Sequence, residues 1–216
     1  VTNPQSKKIM KIFHPELASA ILLMTSAATV HGQAFDQGAT AINLGIGLGG
    51  VRYSYISAYN NDYKTSPTIV ASFEHGIASV DGVGAIGLGG LFANKSVHYK
   101  ATSQSYAYRY EYDRKWSNTV VGVRGAIHLN ELLESDQFDV YGGVMLGYNI
   151  GSYKDKTTRT YNGITEDYSD NYHYKLNFVT WSTFVGGRYL FSDHFGAYLE
   201  LGYGLSYLNL GLTAKF

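Results

Sequence analysis

Ile42-Asn43-Leu44-Gly45-Ile46-Gly47-Leu48 alternates a large apolar residue with a small or polar one at every step. A period of two belongs to a β-strand whose two faces meet different surroundings. Working outward, the same pattern recurs along the chain. Tracks drawn from Ile, Leu, Val, Phe and Trp alone predict eight strands: Ala39–Tyr53, Thr65–Ile77, Val83–Tyr99, Tyr112–Leu129, Gln137–Tyr153, Tyr172–Phe191, Phe195–Gly204 and Ser206–Phe216. Each is long enough for the roughly 9–11 residues with which a tilted strand crosses a bilayer. The sixth carries Phe178 and Phe184 on the track opposite Val179, Trp181 and Val185, so its register is the least determined.

Charges were not used to draw the tracks, so they test them. Within the strand centres and near their ends the charged residues are Glu74, Arg124, Asp139, Arg188, Glu200 and Lys215, and all six fall on the track opposite the large apolar residues. That sorting is what a lipid-facing exterior imposes, because a cation at mid-bilayer on the lipid face costs about 2–4 kcal/mol. Within the strand centres and near their ends, His75 is the one ionisable residue on the apolar track.

The connections sort by length. Ala78–Gly82 and Ser192–His194 are short, and Asn130–Asp136 is moderate. Residues 54–64, 95–111 and 154–171 are long and polar. Short turns at one end and long loops at the other mark outer-membrane barrels. The connection at Gly204–Ser206 departs from this by its brevity. Tyr53, Tyr99, Tyr112, Trp116, Tyr153, Tyr172, Tyr174, Tyr203 and Tyr207 cluster toward strand ends, as in an aromatic girdle at headgroup depth. Tyr106, Tyr108, Tyr110 and Tyr112 alternate with other residues and suggest a strand pair rising beyond the membrane, or a contact surface.

Lys7, Lys8 and Lys11 precede the apolar run Leu17–Val30, and small residues follow at Gly32 and Ala34. This is the pattern of a cleavable signal peptide over residues 1–34, although Pro15 and Glu16 interrupt it. The remaining chain, 35–216, reads as one domain. It carries two more acids than bases, which gives no basic face for nucleic acid. The absence of cysteine excludes disulfides, thiolate metal sites and a cysteine nucleophile.

The closing segment, Glu200 through Phe216, resembles the last strands of small outer-membrane barrels of the OmpA/OmpX-like group, in particular the Bacteroidetes-type outer membrane protein β-barrel domain. That resemblance implies a barrel-assembly signal at Asn209, Gly211, Ala214 and Phe216, with Ala214 smaller than the usual residue there. It also implies recognition by the barrel-assembly machinery, and a home among outer-membrane lipids.

Eight strands leave an interior that side chains fill. Glu74, Arg124, Arg188 and Glu200 have the signs to pair there as a polar plug, or as a gate whose pairs exchange. A lipid-A-modifying enzyme would need a serine beside a histidine. No His-x-Ser occurs, and Ser96 with His98 is the nearest same-face pair. HExxH is absent, and the glycines of 45–50 lack the lysine of a phosphate loop, so no catalytic residue, metal or cofactor is expected. The expectation is an all-β, transmembrane, up-and-down antiparallel barrel of about eight strands in the cell outer membrane. Its function is non-enzymatic: envelope integrity, or surface interaction with an unknown extracellular ligand through loops 54–64, 95–111 and 154–171. The alternatives are a narrow porin-like channel for small solutes and a lipid-A-modifying enzyme.

Overall fold

A computed structural model describes residues 34–50, 63–133, 135–169 and 177–216. Apart from Ala34, the expected signal segment lies outside the described residues. So do most of loop 54–64, the start of the sixth predicted strand, and Tyr53, Tyr172 and Tyr174.

The chain forms β1 (Thr40–Leu48), β2 (Tyr63–Thr65), β3 (Thr68–Val80), β4 (Gly84–Ser105), β5 (Tyr108–His128), a one-turn helix α1 (Asn130–Leu133), β6 (Phe138–Tyr161), β7 (Ile164–Asp167), β8 (Phe178–Leu190), β9 (Phe195–Tyr203) and β10 (Leu208–Lys215). Every pairing is antiparallel. Eight strands follow one another in a ring: β1, β3, β4, β5, β6, β8, β9, β10, and back to β1. Closure gives every strand two partners and leaves no open edge around the ring. The fold is therefore a closed, eight-stranded, up-and-down barrel.

Its faces are inverted relative to a water-soluble domain. Leu44, Val123, Val144 and Leu212 are each more than 60% exposed, while Glu74, Arg124, Asp139, Arg188 and Glu200 are at most 3% exposed. Val179, Trp181 and Val185 face outward and Phe184 is buried, which fixes the register of the sixth strand. His75 points outward and hydrogen-bonds Thr40 across the first pair, Nδ1 to Oγ1, at 2.9 Å.

Two of the predicted loops are instead strand. β4 continues to Ser105 and β5 starts at Tyr108, so residues 95–111 form a tall hairpin. β6 runs on to Tyr161, turns through Asn162-Gly163 and returns as β7. Both turn residues have positive φ, 46° and 79°. Asn-Gly is the pair that tolerates this best. With β2 on the far side of β4, these strands make a sheet that leaves the barrel wall on one side only. Each added rung brings backbone hydrogen bonds and cross-strand contacts, which offset the conformational entropy lost in ordering it.

The aromatic residues divide as well. Tyr203 and Tyr207 are exposed on the barrel exterior, as a girdle requires. Tyr99, Tyr112, Trp116 and Tyr153 lie on the track that continues the barrel interior, so they line one face of the tall sheet instead. Simple clustering near strand ends does not separate the two tracks; parity along the strand does.

Candidate functional site: the sealed interior and the tall sheet

The four residues expected to form the lumen network come from four strands and meet in one layer. Arg124 of β5 donates from Nη2 to Oε1 of Glu200 on β9 at 2.7 Å, and its Nε lies 3.3 Å from Oε1 of Glu74 on β3. Arg188 of β8 donates to the other oxygen of Glu74. Glu74 thus bridges both guanidinium groups. A planar fork with several donors can serve two carboxylates at once, which an ammonium cannot do as well.

Three further residues complete the layer. Asp139 accepts from Arg188 Nη1 at 2.7 Å. His128 sets Nδ1 2.8 Å from Asp139 Oδ1 and Nε2 4.0 Å from Glu74. The Tyr141 hydroxyl donates to Glu200 Oε1 at 2.9 Å. Aromatic faces pack the cations: the Arg124 guanidinium lies 4.1 Å from the centre of the Phe184 ring, and that of Arg188 lies 4.5 Å from Tyr141. Asp139 was legible as an inward charge. His128 and Tyr141 were not, because His and Tyr occupy either track of a barrel strand, but both share the parity of a charged neighbour on their own strand.

Above and below this layer the interior is also occupied. Val70, Leu91, Ala93, Val120, Met145 and Phe184 pack together on the outer side, with Leu205 of the β9–β10 turn against them. The brief turn therefore folds over the lumen as a lid residue. A cavity of about 60 Å³ remains beneath it, lined in part by Lys95, Asn118 and Asn149. That is far below the 300–1,000 Å³ of a typical small-molecule pocket.

At the short-turn end, Phe35 enters the barrel and is fully buried. Its ring stacks on His128 with centroids 3.9 Å apart. Gly87 leaves the room for this: a Cβ there would lie 2.9 Å from His128 Nε2 and 3.4 Å from the Phe35 ring. The segment is stitched to the wall by Gly38 N–H to Gly76 O at 2.8 Å and Gly76 N–H to Ala39 O at 2.9 Å. Phe35→Leu keeps an apolar side chain there but removes the ring and its stacking on His128. The expected loss is about 1 kcal/mol, measured by urea titration of the refolded barrel with its heat-dependent gel mobility as the signal.

The residues expected to form the assembly signal lie on the closing strand or just past it. Asn209 and Gly211 face inward on β10, and Asn209 is bonded by Ser206. Ala214 pairs with Ile42 and Phe195, and Phe216 follows the strand end.

The tall sheet is a single layer, and its two faces differ. The face continuing the interior carries Tyr63, Tyr99, Tyr108, Tyr110, Tyr112, Trp116, Tyr153 and Tyr161. Ring pairs sit at 4.5 Å (Tyr63–Tyr99), 5.1 Å (Trp116–Tyr153) and 4.8 Å (Tyr108–Tyr161). Arg159 lies over Tyr108 and Tyr168 and pairs with Glu166 at 2.5 Å. A sheet without a second layer has no core, and contacts between these rings, and of Arg159 with them, supply the missing contact area.

The opposite face is polar. Asp113 sits 2.5 Å from His98 Nε2 and 3.2 Å from Lys100 Nζ. The hydrogen bond with His98, followed by that from Lys100, holds its carboxyl below the ordinary value of 3.8. A depressed acid stabilises the fold above its unfolded pKa, and that contribution is lost as pH falls through the lower folded value. Amide protection around 97–100 and 112–115 is therefore expected to drop below about pH 4, and Asp113→Asn should flatten that drop in a hydrogen-exchange series.

No family model matches the chain, and no curated protein matches it. Among solved structures it is similar to Ail, the attachment invasion locus protein of Yersinia pestis, at 13% identity over 83% of this chain and 99% of that one, with a TM-score of 0.41. A second structure of Ail, in complex with the heparin analogue sucrose octasulfate, gives 13% identity and a TM-score of 0.42 over the same shares. The N-terminal β-barrel domain of Pseudomonas aeruginosa OprF gives 12% identity over 83% of this chain and 98% of that one, with a TM-score of 0.40.

Proposed function

We propose that this chain is a non-enzymatic integral barrel of the bacterial outer membrane. It serves envelope integrity and presents the tall sheet for interaction outside the cell. The observation that carries the reading is the inversion of its faces: a continuous apolar exterior around a ring whose charges are sealed within. In water that exterior would be a patch far beyond what monomeric soluble proteins expose. In a bilayer it is the required surface, and closure satisfies the backbone groups that lipid cannot.

The interior supports a permanent plug over a channel. Glu74, Arg124, Arg188 and Glu200 are tied to one another, capped by Leu205 on one side and Phe35 on the other. Opening a path would require unpairing buried charges, at several kcal/mol each. As for lipid-A chemistry, His98 gives its Nε2 to Asp113, and among the described residues no hydroxyl hydrogen-bonds its ring. An unchanged lipid-A mass profile after gene deletion is expected.

Export through a cleaved signal segment, delivery by the barrel-assembly machinery using Asn209, Gly211, Ala214 and Phe216, and residence among outer-membrane lipids belong to the same proposal. So does an extracellular ligand for segments 54–64, 95–111 and 154–171. The deciding experiment is conductance in planar bilayers of refolded protein whose heat-dependent gel shift shows it folded. The expected trace is silent. Unitary steps that change when Arg124 or Glu200 is neutralised would overturn the plug and establish the channel.

A further inference from the structure

The polar face of the tall sheet carries an arrangement that strand pairing alone does not favour. Lys64 of β2 lies opposite His98 of β4, His98 opposite Lys115 of β5, and Lys115 opposite Lys154 of β6. Four basic residues thus form one rung across four strands. Directly opposed side chains have Cβ atoms about 4.5–5.5 Å apart, and like charges so placed repel. His98 is compensated by Asp113. Among the described residues, Lys64, Lys115 and Lys154 meet no carboxylate within ion-pair distance. All three are exposed.

The position of the rung is as telling as its charge. It belongs to the outward track, the one that lower on the wall carries Phe92, Val121 and Ile150. One uncharged polar rung, Ser96–Ser117–Ser152, separates it from the rim of that apolar belt, where Asn94 and Thr119 are flanked by Ile69 and Ile150. Along β6 the step from Ile150 to Lys154 is about 13 Å, or roughly 10 Å in height for a strand tilted 35–45°. Lysine stems can reach down over several ångströms of that distance. The three free ammonium groups therefore stand above the edge of the hydrocarbon, on the side that faces surrounding lipid.

We propose that Lys64, Lys115 and Lys154 bind the phosphate groups of glycolipids in the outer leaflet packed against this sector of the barrel. The proposal rests on the membrane reading above. Phosphate monoesters supply the missing counter-charge, and a rung spanning three inter-strand gaps, about 14 Å, is wide enough to meet more than one of them. Each lysine near such a surface contributes about 1 kcal/mol, so the three together give a strong preference.

The test uses the full chain refolded in neutral detergent, with its heat-dependent gel shift recorded first. Retention of diphosphorylated lipid A through detergent exchange is compared with that of the same glycolipid stripped of phosphate. The expected result is at least about tenfold greater retention of the phosphorylated form, lost in Lys64→Gln/Lys115→Gln/Lys154→Gln but kept in Arg109→Gln near the sheet tip. The triple variant should still show the gel shift, since none of its sites faces the interior. Equal retention of both glycolipids, or no loss in the triple variant, would overturn the proposal. Displacement by millimolar inorganic phosphate would overturn it in favour of a free-anion site. A wild-type chain without a gel shift would instead remove the membrane reading, and this inference with it.

Discussion

Arg188→Met is expected to destabilise the refolded barrel by about 3–5 kcal/mol. Methionine fits the space, so the loss measures charge and not volume. Without the guanidinium, Asp139 and Glu74 are left buried with one cation fewer between them. Urea titration in detergent, followed by heat-dependent mobility, reads the change. Arg188→Lys should recover only part of it, because one ammonium replaces a fork that reaches two carboxylates on different strands. The cycle with Asp139→Asn separates pairing from burial: the double variant should lose clearly less than the sum of the singles. Additive losses would mean that Arg188 and Asp139 are neighbours without coupling.

The second large effect concerns the other side of the wall. Val123 is adjacent to Arg124 in sequence and 61% exposed on the exterior. Val123→Arg is expected to cost about 2–4 kcal/mol in lipid vesicles. The same change should cost little in a barrel surrounded by water, where exposed substitutions lie within about 0.5 kcal/mol. Comparison in vesicles with Ser117→Arg, which sits beyond the apolar belt on the same strand and face, gives the depth dependence. A flat profile along β5 would sink the transmembrane reading.

Much of this architecture was legible in the sequence because two constraints act at every position of a barrel strand. Ile42 through Leu48 shows the first, period-two alternation. Glu74, Arg124, Asp139, Arg188 and Glu200 show the second, exclusion of charge from the exterior. Those constraints stop where the apolar belt ends, and beyond it only the alternating Tyr106, Tyr108, Tyr110 and Tyr112 pointed to a strand pair. Beyond Lys95 the outward track no longer carries large apolar residues, and polar strand resembles polar loop. Asn162-Gly163 was the available signal for the β6–β7 hairpin, since few other pairs tolerate two positive φ angles. The placement of Phe35 was not legible at all. An aromatic residue just after the expected signal segment carries no mark of the cavity it fills, which exists only once β4 and β5 bring Gly87 and His128 together.

The ring has one seam of a different kind. β4 and β5 pair over 21 residues and join through two, whereas β1 and β10 pair over eight and come from opposite ends of the domain. Contacts between distant segments form late, since the chain must first lose the entropy of the intervening loop. The tall hairpin is thus the natural first event in time, and the union of Ala41 with Lys215 through Leu48 with Leu208 the last. Until that final zipping, the sheet keeps two unpaired edges. The lifetime of the half-made barrel is set by how quickly its two ends find each other.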